Sequence, residues 1–203
     1  MKILSINTGL VQPLTQNPDA GGKQVMSAIH KHAVSSLNNP QIKRIGYSGV
    51  EGDQQANLEV HGGQDKAVYA YPQEHYPLWE ELLTRAGKFN GKLQMGNFGE
   101  NLTVEGFDEK NVFVGDRWRV GSLLMEIVRF REPCFKFNIK MGWSGAAKAM
   151  IQSGSTGWYL RVLEAGEAKA GDAVQVIPGE RQLTILVQST AFYSKTDQKD
   201  LWS

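Results

Sequence analysis

Residues 111–130, NVFVGDRWRVGSLLMEIVRF, carry the clearest strand signal in the 203-residue chain. Apolar and polar residues alternate on both sides of Gly115-Asp116, and Gly121-Ser122 supplies a second turn. Alternation with a period of two is typical of a half-buried strand, and glycine-containing dipeptides permit tight turns between antiparallel strands. The stretch therefore predicts a meander of tightly connected strands, and with it a β-rich fold.

Weaker strand signals extend outward from this meander in both directions. The 22 glycines, many beside Asp or Asn, separate short runs rich in Val, Ile, Leu and aromatic residues. The predicted strands are Lys2–Asn7, Ser27–Val34, Gln41–Gly46, Ala67–Tyr71, Lys169–Ile177 and Thr184–Thr190. Because strands recur at regular intervals, a closed or nearly closed barrel leaves the fewest unpaired sheet edges. We expect a mainly β, barrel-type fold with a few short helices.

Two segments break the β pattern and predict short helices. In Gln73–Arg85 apolar residues recur at four-residue spacing, and Pro77 falls in the first turn, where its missing N–H is harmless. Trp143–Ser153 is alanine-rich and short enough for a second helix. Gln12–Gly22 is predicted to be a polar loop, and Ser194–Ser203 a polar tail.

Length and composition limit the domain count and the partners. A chain of 203 residues, 41% of them apolar, fits one domain over residues 1–203 with a sizeable core. Its 22 basic and 21 acidic residues give a net charge of +1, which argues against nucleic acid or anionic membranes as partners. There is no signal-peptide pattern, no run of about 18 apolar residues, and only one cysteine, so we expect a cytoplasmic protein.

Two glycine-rich stretches hold residues that suit an anionic or heterocyclic ligand. His61 precedes Gly62 and Gly63, whose backbone permits close approach of a ligand, and Lys66 adds a charge suited to phosphate. The second stretch, GNFGENLT at residues 96–103, predicts an anion-binding nest of backbone N–H groups. Ordinary glycine turns explain the same residues, so the ligand-binding interpretation and the simple-turn interpretation both stay open.

The stretch REPCFKF, residues 131–137, contains the only cysteine, Cys134. Cationic neighbours favour the thiolate, the form that attacks electrophiles and binds soft metals. If a strand continues through this region, period-two geometry places Arg129 and Arg131 on one face, and Pro133 leaves Cys134 at the strand end. A lone cysteine is also commonly a small buried hydrophobe, and the residues alone leave the two interpretations open.

Other kinds of catalytic site have less support. The histidines His30, His32, His61 and His75 and one cysteine provide no zinc-ligand pattern beyond His-x-His, and neither a P-loop nor a dinucleotide fingerprint is present. A cysteine hydrolase with His61 or His75 as its base stays possible on these residues, because such partners meet in space and not in sequence.

Five motifs occur in one order along the chain: GVEGDQQA, VHGGQDKAVYAYP, FGENLTVEG, VFVGDRWRVGSLLMEI and REPCFK. Together they resemble the MOSC family, named after the C-terminal domain of molybdenum-cofactor sulfurases, and they are most similar to its YiiM-type members. The resemblance covers roughly Ser27–Ile177. Five ordered motifs are far more specific than any one of them.

The resemblance implies a barrel-like β fold that binds the molybdenum cofactor, a molybdenum–pterin group, with the Cys134 sulfur as metal ligand. A thiolate suits this soft site, and pyridoxal phosphate is not expected. Catalytic members of the family reduce small N-hydroxylated compounds, including hydroxylaminopurines, to amines, which is a detoxification reaction. The electrons would come from a flavin or iron–sulfur protein.

The motifs also assign residues to this site. Cys134, His61 and Glu100 are the candidates at the reaction centre. The candidates for cofactor binding are Gly62, Gly63, Lys66, Asn97, Phe98, Gly99, Asn101, Arg129, Arg131 and Lys136. Lys31 and Lys195 are expected to be surface lysines outside the site.

Two alternatives and one departure accompany the resemblance. The chain could instead be a sulfur carrier or cofactor-delivery protein with a persulfide on Cys134, or a non-catalytic cofactor-binding module. YiiM-type relatives often continue into a small helical C-terminal segment, whereas only SKTDQKDLWS follows the last predicted strand here. That difference puts contact with an electron-donor protein through such a segment in doubt.

Overall fold

The computed structural model of the protein describes residues 1–14, 25–55 and 63–195. The strands of this part of the chain are β1 (Lys2–Thr8), β2 (Gln12–Pro13), β3 (Met26–Ser27), β4 (His32–Ser36), β5 (Lys43–Gly46), β6 (Gly49–Val50), β7 (Val68–Pro72), β8 (Leu102–Glu105), β9 (Arg117–Val120), β10 (Leu123–Phe130), β11 (Trp158–Glu164), β12 (Gly166–Ala168) and β13 (Gln175–Ile177). Eight of them form one curled sheet in the order β13-β9-β10-β11-β7-β8-β1-β4. This half-barrel confirms the predicted mainly β fold.

The helices are short and lie between or after the strands. They are α1 (Tyr76–Arg85), α2 (Phe135–Met141), α3 (Ala146–Ser153) and α4 (Ile185–Lys195). Helices α1 and α3 confirm the two predicted helical segments, whereas α2 was not predicted. Among the described residues, no helix is long and apolar enough to cross a membrane.

One parallel pair, β7 with β8, interrupts an otherwise antiparallel sheet. A parallel pair requires a crossover, and α1 lies in that connection. The residues that precede both strands therefore meet at one end of the sheet. This brings Lys66, just before β7, to the same end as Phe98 and Gly99, just before β8.

The meander in residues 111–130 is only partly present. Strands β9 and β10 pair across the predicted Gly121-Ser122 turn, with Val120 opposite Leu123. Residues 111–116 form no strand, although Phe113 makes an isolated bridge to Thr184. Gly115 and Asp116 also form backbone hydrogen bonds with Ile127 of β10. The other edge of β10 pairs with β11, whose alternating sequence WYLRVLE was not predicted as a strand.

Three predicted strands differ from the structure. The segment Ser27–Val34 is divided between β3 and β4, because residues 28–31 leave the sheet. Of Lys169–Ile177, only Gln175–Ile177 forms a strand, β13. In the segment Thr184–Thr190, Thr184 makes an isolated bridge. The rest of that segment is helical, within α4, because Ile185 and Ser189 are buried at the i, i+4 spacing of one helix face. A short apolar run of this kind is compatible with the period of a helix and with that of a strand. Helix α4 also corrects the expectation that no helix follows the barrel.

Two apolar clusters form the core. The larger one draws residues from most strands of the sheet and includes Trp118 and Trp158. The smaller one is aromatic and packs α1, α2 and α3 against β7. At its centre the fully buried Phe98 ring stacks on Tyr71, with the ring centroids 4.3 Å apart. This aromatic cluster fixes the turn that leads into β8.

We expect Gly96→Ala to destabilise the protein more than Gly115→Ala. Both glycines have positive φ, 90° and 85°, so alanine costs about 1–2 kcal/mol at either position. A Cβ at Gly96 would also lie 2.9 Å from the Lys31 carbonyl oxygen, whereas one at Gly115 meets nothing within 4 Å. The close contact should add roughly 1–3 kcal/mol, measured by urea denaturation. Equal losses for the two variants would show that the Gly96 turn yields freely.

Candidate functional site

A cavity of about 110 Å³ opens beside the Cys134 thiol, and we refer to it as the Cys134 cavity. Its lining residues are Ser27, Ala28, Ile29, Lys31, Asp53, Gln54, Gln55, Lys66, Tyr69, Phe98, Gly99, Asn101, Arg131, Cys134, Lys136 and Tyr159. They come from stretches far apart in the sequence that the end of the sheet brings together. Of the residues predicted for the site, Cys134, Lys66, Phe98, Gly99, Asn101, Arg131 and Lys136 line it.

Cys134 lies at the turn between β10 and α2. Strand β10 ends at Phe130, and Cys134 adopts an extended backbone, with φ −120° and ψ 177°, immediately before α2 begins. The cysteine is free and half-buried, whereas Phe137 is fully buried and Phe135 is 58% exposed. The strand-end position that Pro133 predicted is observed. The thiol therefore belongs to the cavity wall and not to the core.

Arg131 places a buried cation beside that thiol. It is only 6% exposed, and its guanidinium lies over the rings of Phe137 and Tyr69, 4.8 and 5.6 Å from their centroids. One guanidinium nitrogen contacts the Met150 sulfur at 3.4 Å. No carboxylate in the described part of the chain pairs with Arg131. Since a buried charge is costly without a counter-ion, Arg131 favours an anion in the cavity.

Arg129 does not share this position. Its guanidinium forms an ion pair with Glu132, lies 5.8 Å from the Phe130 ring centroid, and is absent from the cavity wall. The expectation that Arg129 and Arg131 share one face is wrong, because β10 ends at Phe130 and its register shifts just before Arg129. Period-two geometry holds only within a regular strand.

A buried ion pair between Lys31 and Asp53 was not predicted. Their side chains are only 8% and 7% exposed, and both line the cavity. Asp53 also accepts hydrogen bonds from the Gly9 N–H and the Asn101 amide, each at 2.8 Å. The expectation that Lys31 is a surface lysine is therefore wrong. Asp53 stands in the motif GVEGDQQA, but no sequence pattern marks Lys31.

Glu100 holds the turn that contributes Phe98 and Gly99 to the cavity wall. It is fully buried, and its carboxylate accepts hydrogen bonds from the N–H groups of Gly96 at 2.7 Å and Phe98 at 3.0 Å. The hydroxyls of Tyr76 and Thr103 also donate to it. Burial raises the pKa of Glu100 above its ordinary value. Glu100 holds the turn and does not line the cavity.

Two neighbouring asparagines of the same stretch differ in position. Asn97 lies outside the Cys134 cavity, with its amide 4.0 Å from the Met141 sulfur. Asn101 lines the cavity, and its side-chain oxygen accepts the Tyr69 N–H at 3.1 Å. Together with the bond to Asp53, this contact ties β7 to the ion pair.

The His-Gly-Gly segment is described only at its last residue. His61 and Gly62 lie outside the described residues. Gly63, with φ 93°, lines a second cavity of about 650 Å³ that shares Asp53 and Gln55 with the Cys134 cavity. The smaller cavity thus adjoins a space large enough for the body of an organic ligand.

The remaining histidines stand apart from the thiol. His75 contacts Glu109 at 2.7 Å, and His30 contacts Lys140 at 3.1 Å. Neither lines the Cys134 cavity. Within residues 1–14, 25–55 and 63–195, no cluster of three His, Cys, Asp or Glu side chains suits a metal ion.

The residues of the cavity fit an anionic, soft-ligand cofactor. A thiol offers a soft metal ligand. Among the described lining residues there are four cations, Lys31, Lys66, Arg131 and Lys136, and a single carboxylate, Asp53. The buried Arg131 in particular suits a phosphate. This fit rests on the donor set and on the charge of the wall.

Comparison with known proteins points to one family. The model described as "MOSC domain" matches residues 57–175. The chain is 38% identical to YflK of Bacillus subtilis over 184 residues, 90% of this chain and 76% of that one. It is 35% identical over 158 residues to a protein of Gibberella moniliformis named "Reductase", but it spans only 26% of that protein's length. The crystal structure of YiiM from Geobacillus stearothermophilus superposes with a TM-score of 0.73 at 29% identity, covering 98% of this chain and 87% of that one.

We expect Asp53→Asn to destabilise the protein by about 3–5 kcal/mol, because it leaves the buried Lys31 ammonium without its counter-ion. Glu81→Gln is the matched control. Its ion pair with Arg85 is exposed on α1 and should contribute no more than about 0.5 kcal/mol. Urea denaturation of both variants at pH 7 measures the difference. Similar small losses would show that the buried pair adds nothing to stability.

Proposed function

The chain belongs to the MOSC domain family, and from this we propose that it holds the molybdenum cofactor in the Cys134 cavity and reduces N-hydroxylated compounds. The observation that carries the proposal is the half-buried thiol beside the buried Arg131 guanidinium, which lacks a carboxylate partner among the described residues. The name "Reductase" of one relative supports the reaction class.

Each part of the wall has a role in this proposal. Cys134 is the metal ligand, since its sulfur is soft and accessible from the cavity. Lys66, Arg131 and Lys136 bind the cofactor phosphate. The backbone of Phe98 and Gly99 and the amide of Asn101 face the pterin. His61, Gly62 and Gly63 stay predicted contacts, whereas Asn97 and Arg129 lie outside the described wall.

The cofactor, when bound, supplies two-electron redox chemistry that no amino-acid side chain provides. The overall reaction consumes two electrons and two protons for each N–O bond cleaved, and yields an amine and water. The protein binds and orients the substrate and delivers protons. The electrons come from a flavin or iron–sulfur donor protein.

Cys134→Ser should abolish molybdenum-dependent reduction of 6-N-hydroxylaminopurine while leaving the fold intact. Oxygen for sulfur changes little volume but replaces a soft ligand with a hard, protonated one. Molybdenum content, activity and the thermal melt are measured on protein from a host that makes the cofactor. Full activity in the serine variant would rule out metal ligation by Cys134.

The same samples distinguish the sulfur-carrier alternative. A carrier would show a persulfide mass of one added sulfur on Cys134, and no molybdenum above the serine variant. A protein that contains stoichiometric molybdenum and no persulfide supports the reductase.

Arg131→Gln should weaken cofactor binding by roughly tenfold or more, because a charge-assisted hydrogen bond contributes about 1.5–3 kcal/mol. Arg129→Gln is the matched comparison, two residues away on the same segment and paired with Glu132 outside the cavity. Lys195→Gln, on an exposed lysine of α4, controls for charge alone. Affinity is measured by titrating cofactor into cofactor-free protein. Equal affinity for all three variants would contradict an anion site at Arg131.

A further inference from the structure

The Lys31–Asp53 ion pair has no role in the function proposed above, although both side chains line the Cys134 cavity. Their side chains are more than nine-tenths buried. Asp53 is fixed by the Gly9 N–H and by the Asn101 amide, so its carboxylate cannot follow a moving partner. Burying an ion pair costs desolvation that packing alone does not require. A rigid buried pair on a cavity wall therefore suggests a chemical use.

The hydrogen bonds of the Lys31 ammonium also suggest a chemical use for this pair. An ammonium group has three N–H donors. The two recorded side-chain hydrogen bonds of Lys31 both go to Asp53, one to each carboxylate oxygen. No other acceptor for this ammonium occurs among the described residues. One N–H thus remains for a ligand in the cavity.

We propose that Lys31 is a catalytic proton donor for the reduction and that Asp53 is the residue that positions it. This inference rests on the proposed function. In R–NH–OH + 2e⁻ + 2H⁺ → R–NH₂ + H₂O, the N–O bond breaks and the oxygen leaves as water with a proton from Lys31. The oxygen takes the bonding electron pair with it, and the nitrogen receives the two donor electrons and takes the second proton from solvent. The flavin or iron–sulfur donor supplies the two electrons, and solvent returns the proton to Lys31.

The other polar groups on the wall are less suited to this step. Arg131 does not deprotonate in proteins. Burial raises the pKa of Tyr69 and of Tyr159 above their ordinary values, so both hydroxyls retain their protons. The Lys136 ammonium donates to the Met26 carbonyl oxygen at 3.0 Å. A buried amine beside a fixed carboxylate is a better general acid.

Burial also lowers the pKa of Lys31, and the attraction of Asp53 and Glu100 only partly offsets this effect. The direction is favourable, since a general acid works best when its pKa lies near the working pH. The charged and titratable groups of the described residues that share its surroundings are Asp53, Glu100, Lys66, Arg131, Lys136, Cys134, Tyr69 and Tyr159. A pH profile must therefore be compared between variants and not interpreted from the wild type alone.

The test compares Lys31→Arg, Lys31→Met and the surface control Lys195→Met, each purified from a cofactor-producing host. Arginine keeps the charge opposite Asp53 but cannot release a proton. We expect Lys31→Arg to retain molybdenum and thermal stability, while its rate with 6-N-hydroxylaminopurine falls about 100-fold or more. The wild-type rate should decline at high pH, and this decline should be lost in Lys31→Arg. Lys195→Met should match the wild type throughout.

A second measurement does not depend on activity. In cofactor-free protein labelled with ¹³C at lysine Cε, the resonance missing from Lys31→Met should titrate at lower pH than that of Lys195. A Lys31 resonance that titrates with the surface lysines would contradict the proposal. So would Lys31→Arg activity within threefold of wild type, or a normal pH profile in that variant. A wild-type protein that holds molybdenum but reduces no N-hydroxylated probe would instead overturn the proposed function, and the proton-donor role with it.

Discussion

The carboxylate of Glu100 is completely buried, and the geometry of the cavity wall depends on how its hydrogen bonds are satisfied. Two backbone N–H groups fix the turn at Gly96–Phe98, Tyr76 ties it to α1, and Thr103 ties it to β8. Thr103 in turn accepts hydrogen bonds from side chains of β1. Each donor would cost about 1–3 kcal/mol if it were left unpaired in the interior. One acidic side chain thus joins a helix, a turn and two strands.

The net charge of this protein is small, but several charged side chains are concentrated around the Cys134 cavity. A net charge of +1 over the chain gives no long-range attraction, yet four cations and one carboxylate of the described residues surround a cavity of about 110 Å³. Two of these charges, Lys31 and Asp53, neutralise each other, and Arg131 has no such counter-ion in the described part of the chain. In the proposed function, selectivity for an anion would therefore come from a few fixed contacts, which high salt screens less than it screens surface charge.

The sequence predicted those features that depend on neighbouring residues. The turn at Gly121-Ser122 and helix α1 depend on local periodicity, and the strand-end position of Cys134 depends on the adjacent Pro133. The features it failed to predict depend on distant contacts. Lys31 is buried because Asp53, 22 residues away, is held against it. The segment that follows Thr184 is helical because α4 packs on β10, a contact that no local pattern records. The motifs supplied part of the wall of the Cys134 cavity, but not the contacts that hold the wall together.

Strand β1 has a consequence for how the chain is made. Its two neighbours in the sheet are β4, close in sequence, and β8, roughly a hundred residues further on, while Lys2 also bridges to Ala173. On the ribosome, β1 emerges well before β8 and must therefore wait with one edge unpaired until β8 has been synthesised. Such distant pairings slow folding and expose strand edges to aggregation. The residues that line the cavity extend from Ser27 to Tyr159, so the cavity forms only after Tyr159 has been synthesised. Any ligand that it holds must therefore bind late in synthesis or after it.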